Sequence, residues 1–215
     1  DATSGAIRLA RAFTNRTKII RWGYNGWHDW SAPTEPGIPQ YIRNDVTTFQ
    51  YNNIESLKKC FQQNKGDVAA VIMMPSELDV PVQNFLNEVQ SIAHENGSLF
   101  ILDEMRSGFR YSLGGAQALW HVTPDLSTFS KAMANGYPIS AIVGRADILN
   151  YMSKIKMTAT FFGETTAMVA AIATINELKN TQALESIWRM GRELMNGFEL
   201  LIKRYAISAN VRGMP

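Results

Sequence analysis

VAAVIMMPSELDVPVQNFLNEVQSIAHENGSLFIL, residues 68–102, decides the fold class. It opens on a short unbroken apolar run, Val68–Met73, and closes on another, Leu99–Leu102. Between them, Val82–His94 carries Phe85, Leu86, Val89, Ile92 and Ala93 at helical spacing. Strand, helix and strand in that order make a βαβ unit, and runs apolar on both faces are what strands of a covered parallel sheet require. The same alternation continues outward. Lys18–Trp22, Val46–Phe49, Leu126–Phe129 and Ser140–Val143 read as further strands, and Ile54–Gln62 as a helix with Ile54, Leu57 and Phe61 on one face. The expected architecture is α/β, a mainly parallel sheet with helices on both faces.

The flanks differ from this middle. The chain opens on an amphipathic helix, with Ala2, Ala6, Leu9, Ala10 and Phe13 on one side, Arg8 and Arg11 on the other, and Asp1 or Thr3 as its cap. From Glu164 to Tyr205 the pattern is almost all helix, broken near Asn180. Its second half sets Leu184, Ile187, Trp188, Leu194, Met195, Phe198, Leu201 and Tyr205 on one broad face. That helix either lies across the domain or connects to another. Two parts are expected, a core over 1–163 and a helical segment over 164–215. With no initiator Met, a start on a helix and an end at a turn, the chain reads as part of a longer one.

Composition excludes several classes. The 215 residues are 46% hydrophobic and 19% charged, with a net charge of +2 and no basic run, so nucleic acid is not the expected partner. No apolar stretch reaches the roughly 18 residues of a membrane span. One cysteine, Cys60, cannot form an internal disulfide and reads as a core or boundary thiol of a cytoplasmic protein. His94 and His121 lie in no metal-ligand spacing, and Gly114-Gly115 lacks that of a dinucleotide loop.

Four stretches are left to carry chemistry. In FILDEMRSGFR (100–110) an apolar strand runs into Asp103 and Glu104, where a parallel sheet places its ligands. Either acid serves a ligand or caps a helix. In LSTFSKAMANGYPIS (126–140) Lys131 stands at a strand end among small and apolar residues. Partial desolvation there would suit an amine for Schiff-base chemistry, and a snorkelling surface lysine is the plainer alternative. An acid and a lysine at one sheet edge suit pyridoxal 5'-phosphate, the lysine forming the imine and the acid pairing with the ring nitrogen. GYNGWHDW (23–30) offers an aromatic to stack on a flat ring, or ordinary loop packing, with His28 as a loop histidine. TATFFGETTAM (158–168) offers hydroxyls and N–H groups at a helix start, for an anion or simply for a cap.

Together with DATSGAIRLARAFTNRTKII (1–20), ILDEMRSGFRYSLGGAQ (101–117) and PDLSTFSKAMANGYPISAIVGR (124–145), these stretches resemble class III aminotransferases of the pyridoxal-phosphate fold type I superfamily. They look closest to glutamate-1-semialdehyde aminomutase-like proteins. The resemblance implies that Lys131 holds the cofactor and shuttles a proton, that Asp103 pairs with the ring nitrogen and that Tyr24 lies against the ring. It also implies that Thr160 reaches the cofactor phosphate of a neighbouring subunit, in a homodimer with shared active sites acting on a small-molecule amino donor or acceptor, with no metal. The phosphate turn before Asp1 and the small C-terminal domain usual in the family are expected to be missing. Two departures stand out: Asn25 where the family usually has His, and Met74-Pro75 where it commonly has Glu-Pro. They leave room for a different substrate, or for a degenerate, non-catalytic homologue acting as a scaffold.

Overall fold

The computed structural model describes residues 1–32 and 34–215. The chain runs α1 (Ala2–Thr14), β1 (Lys18–Trp22), α2 (Gln40–Arg43), β2 (Val46–Thr48), α3 (Ile54–Gln63), β3 (Val68–Met73) and α4 (Phe85–Glu95). It continues through β4 (Leu99–Asp103), α5 (Gly115–Leu119), β5 (Leu126–Phe129), β6 (Ala141–Gly144), α6 (Ala146–Leu149), α7 (Thr165–Asn180) and α8 (Ala183–Arg204). The six strands form one sheet in the order β2-β1-β3-β4-β5-β6, parallel except for β6, which pairs antiparallel with β5.

The parallel strands bury both faces, and two apolar clusters fill the two sides. Leu57, Phe61, Phe85, Leu86 and Val89 of α3 and α4 pack against Ile20, Val71, Met73, Phe100 and Leu102. Ala6, Ile7, Leu9 and Ala10 of α1, with Ile148 of α6, pack against Ile19, Ala70, Ile72, Ile101 and Leu126. Each large side chain buried this way stabilises the fold by roughly 1.5–3 kcal/mol. A register shift between Lys18 and Ile19 puts an extra residue into β3, so Ala69 and Ala70 both join the α1 cluster. Helix α1 sits close enough that a Cβ on Gly5 would stand 2.6 Å from the Met157 sulfur. Cys60 is buried in the α3 and α4 layer, and burial raises its thiol pKa.

Two expectations are corrected. Neither Asp1 nor Thr3 caps α1 with its side chain; the Thr3 hydroxyl instead donates to the Asn25 carbonyl at 2.8 Å, tying the helix to the loop after β1. Helix α8 does not lie across the domain on its broad apolar face. None of its residues is buried, and Leu194, Phe198, Leu201 and Tyr205 stand exposed. It is anchored near its start, where Trp188 Nε1 donates to the Tyr111 carbonyl at 2.9 Å. Beyond it, Arg212 reaches Asp79 at 2.6 Å.

Asp125 fixes where β5 begins, and so where the chain arrives at Lys131. It is 2% exposed and accepts from Phe100 N–H, from His94 Nε2 and from Arg145 Nη1, each at 2.8 Å. Removing it orphans a buried N–H and leaves two donors without their acceptor. Asp125→Ala should lower stability by about 1–3 kcal/mol, read as a lower denaturant midpoint at unchanged slope.

Candidate active site

Strands of a parallel sheet all end on the same edge, and the loops after β1, β3, β4 and β5 meet there. Asp103 is the last residue of β4 and is 1% exposed. Ile101 belongs to the α1 cluster, so a period of two turns Asp103 to that same side, toward the loop pinned by Thr3. Its Oδ2 accepts from Asn25 Nδ2 at 2.8 Å. Its Oδ1 accepts from Met105 N–H at 3.1 Å and from the Thr128 hydroxyl at 3.2 Å. Burial raises the Asp103 pKa, and the Asn25 hydrogen bond is the largest of the effects that pull it back; the positive charge of Lys131 also pulls it down.

Glu104 is also fully buried, yet its surroundings differ. It accepts from the Ser107 hydroxyl, from Ala116 N–H at 2.9 Å and from Gln117 N–H at 2.8 Å, which caps the start of α5 from eleven residues upstream. Gly115, at φ 73°, makes this possible, since a Cβ there would stand 2.6 Å from Glu104 Oε1. Desolvation raises the Glu104 pKa as well. Of the two roles open to these acids, Glu104 takes the cap.

Lys131 opens a 3-10 turn, Lys131–Ala134, directly after β5 and has a left-handed φ of 44°. The expected desolvation is corrected: Lys131 is exposed, because the turn carries it past the last strand residue to the open edge. Tyr24 is 55% exposed, and the guanidinium of Arg106 lies 5.9 Å from its ring centre. Arg106 also pairs with Glu77 at 3.2 Å, an exposed contact that salt would screen. Met74 fills the space beneath this loop, 2% exposed, with Tyr24 N–H directed at its sulfur at 3.2 Å.

The structure thus places Asp103 and Lys131 at the carboxyl ends of the neighbouring strands β4 and β5, and Tyr24 in the loop that supplies Asn25. It leaves Thr160 in the exposed turn before α7, with no side-chain hydrogen bond to these groups among the described residues. At the start of α7 itself, the N–H groups serve a cap. The Glu164 carboxylate itself accepts from Thr166 N–H and Ala167 N–H, both at 2.8 Å, and these bonds lower its pKa. His28 is a surface group 3.5 Å from Asp1. Asn25 and Arg106 are the residues that reading the sequence did not single out as site groups. Among the described residues, no group of three His, Cys, Asp or Glu side chains is arranged to hold a metal. No helix among them is long and apolar enough to cross a membrane.

A model of the family described as aminotransferase class-III matches residues 1–214. The chain is 42% identical to a 3-aminobutyryl-CoA aminotransferase of Cloacimonas acidaminovorans, over 100% of this chain and 54% of that protein. It is 35% identical to a glutamate-1-semialdehyde 2,1-aminomutase of Ruminiclostridium cellulolyticum, over 95% of this chain and 52% of that one. Among solved structures, the FumI protein of Sphingopyxis sp. MTA144 in its PLP internal aldimine form superimposes with a TM-score of 0.91 at 32% identity, covering 95% of this chain and 51% of that one. An omega-transaminase from Sphaerobacter thermophilus gives 0.92 at 25% identity, covering 99% of this chain and 55% of that one. The chain spans about half the length of the curated relatives it matches.

Asp103 binds its proton more tightly folded than unfolded, so its contribution to stability is present below the unfolded carboxylate range and is lost as pH rises through the raised folded value. Asp103→Asn removes that loss. In cofactor-free protein, the stability of Asp103→Asn relative to the unsubstituted chain should therefore climb as pH rises from about 4 toward neutrality, checked by urea titrations across that range.

Proposed function

The chain belongs to the class-III aminotransferase family, and from that premise we propose that its core, residues 1–163, holds pyridoxal phosphate and transfers an amino group on a small-molecule amino donor or acceptor. The observation that carries this reading is the Asp103 carboxylate, buried at a strand end, held by three donors and acted on by the charge of an exposed lysine. The donor set fits the cofactor. A carboxyl oxygen with a single donor matches a ring N–H, an exposed amine matches an aldehyde, and a half-exposed aromatic matches a flat ring. When bound, pyridoxal phosphate supplies an electron sink for the carbon that carries the amino group.

Each residue then has a task of its own. Asp103 accepts the ring N–H and holds its proton in place. Lys131 holds the cofactor through its Nζ. When its Nζ is free, the Lys131 amine would take a proton from the substrate carbon and deliver it to a carbon of the cofactor. Tyr24 lies against the ring and fixes its plane. Thr160, in a turn exposed beside Phe161 and Phe162, serves the phosphate in a second copy of the chain, which makes a homodimer with shared sites part of the proposal.

The substrate is an amino acid or an amino aldehyde or ketone, either deaminated to a keto product or rearranged internally. Relatives named for both kinds of reaction match this chain at 42% and 35% identity, so the choice between them rests on groups that vary among them. The buried Met74, just past β3, stands where the family commonly has Glu.

Mixing the protein with pyridoxal phosphate, reducing it with borohydride and mapping the peptides by mass spectrometry tests the proposal. A stoichiometric adduct confined to Lys131 and absent in Lys131→Ala is expected. No adduct, or labelling scattered over surface lysines, would favour the scaffold reading instead.

A further inference from the structure

We propose that Asn25 is a positioning residue for Asp103, whose amide N–H orients Oδ2 so that this oxygen can receive one more donor. The inference rests on the reading that this donor is the cofactor's ring N–H. Three observations carry it, and each concerns this chain's own atoms.

The first is the count of acceptor sites. An ionised carboxylate oxygen has about two lone-pair directions. Oδ1 of Asp103 uses both, on Met105 N–H and on the Thr128 hydroxyl, whereas Oδ2 accepts from Asn25 alone. Oδ2 is therefore the oxygen with acceptor capacity left, and Asn25 is the group that sets its direction.

The second is what Asn25 gives up. It is 2% exposed and its Oδ1 has no hydrogen-bond partner among the described residues. A residue kept only to fill the loop would pair both ends of its amide, because an unpaired buried acceptor destabilises the fold. Turning the amide over would set Oδ1 against a carboxylate oxygen and orphan the amino group instead. The observed orientation keeps a donor on Asp103 at the expense of Oδ1.

The third is rigidity. The Asn25 carbonyl is held by Thr3 from α1 at 2.8 Å, so the residue is clamped at its backbone and at its side chain by different elements. Among charged groups, Lys131 acts on Asp103 from beyond β5. Glu104 is turned to Ser107 and α5, and Arg106 to Tyr24 and Glu77. Asn25 has no charge, so its effect on Asp103 does not itself change with pH.

The test compares Asn25→Leu, which keeps the bulk and removes the donor, with Asn25→His, which restores a ring N–H donor. In the cofactor-free full chain, the ionisation of Asp103 is followed by carbon-13 NMR of its carboxyl group. Asn25→Leu should raise the midpoint by about 1–2 pH units, and Asn25→His should recover most of that shift. In parallel, the affinity for pyridoxal phosphate, read from the absorbance of the bound cofactor, should fall about 10- to 100-fold in Asn25→Leu and return in Asn25→His. Should Asn25→Leu not fold, Asn25→Ala takes its place with the same expected shifts. An Asp103 midpoint unchanged in the donor-free variant overturns the inference. A shifted midpoint in a chain that takes up no pyridoxal phosphate at Lys131 supports the positioning role and overturns the cofactor reading, so the two failures are distinct.

Discussion

A carboxylate at the buried end of a strand must be met by donors, because an isolated charge there costs several kcal/mol. Asp103 meets this condition with groups from three places: Asn25 after β1, Met105 just beyond β4 and Thr128 in β5. The first of them depends in turn on α1, whose Thr3 holds the Asn25 backbone. One acid therefore ties together the first helix, the loop after β1 and two neighbouring strands. None of these partners is near Asp103 in sequence except Met105. The parallel sheet makes the arrangement possible, since it brings the carboxyl ends of successive strands to one edge.

That edge is where exposure returns. Lys131 and Tyr24 stand in solvent within a few residues of side chains that are wholly buried, and so do Phe161 and Phe162 further along. Helices α7 and α8 add to this open apolar surface, with Val169 and Ile172 on the first and Leu194 and Phe198 on the second. An exposed amine and a rigidly held acid at one sheet edge differ in freedom: the acid keeps its geometry, while the amine can move. The left-handed φ of 44° at Lys131 costs backbone energy for a side chain with a Cβ, and such positions are retained where the direction of the side chain matters.

Much of this was legible in the sequence because the governing patterns are local. Strands buried on both faces must be short apolar runs, and the six expected ones fall within a residue or so of those observed. Helices α3 and α4 follow from the spacing of Leu57, Phe61, Phe85 and Val89 in the same way. Asp103 and Lys131 stood out because an apolar run leads into each. The links between distant groups were not. Nothing near Asn25 shows that its amide reaches a residue 78 positions away, nor does the stretch around Thr3 announce a hydroxyl that prefers a distant carbonyl to its own helix. The cap on α7 went the other way: one carboxylate, Glu164, took the N–H groups that a helix start leaves free for an anion.

Asp103 and Glu104 show that neither burial nor a shifted pKa tells two acids apart. They are adjacent, both are almost completely buried, and desolvation raises both pKa values. Alternation along an extended chain sends them apart, one toward the pinned loop after β1 and the other toward α5. Glu104 then accepts from two backbone N–H groups and a hydroxyl, and its neighbour Gly115 lies so close that not even a methyl group fits between them. Such an acid is walled in by the helix start it caps. Asp103 is held just as firmly on one oxygen, while the other has a single donor, the Asn25 amide. The difference between these two buried acids therefore lies in how their acceptor sites are shared out.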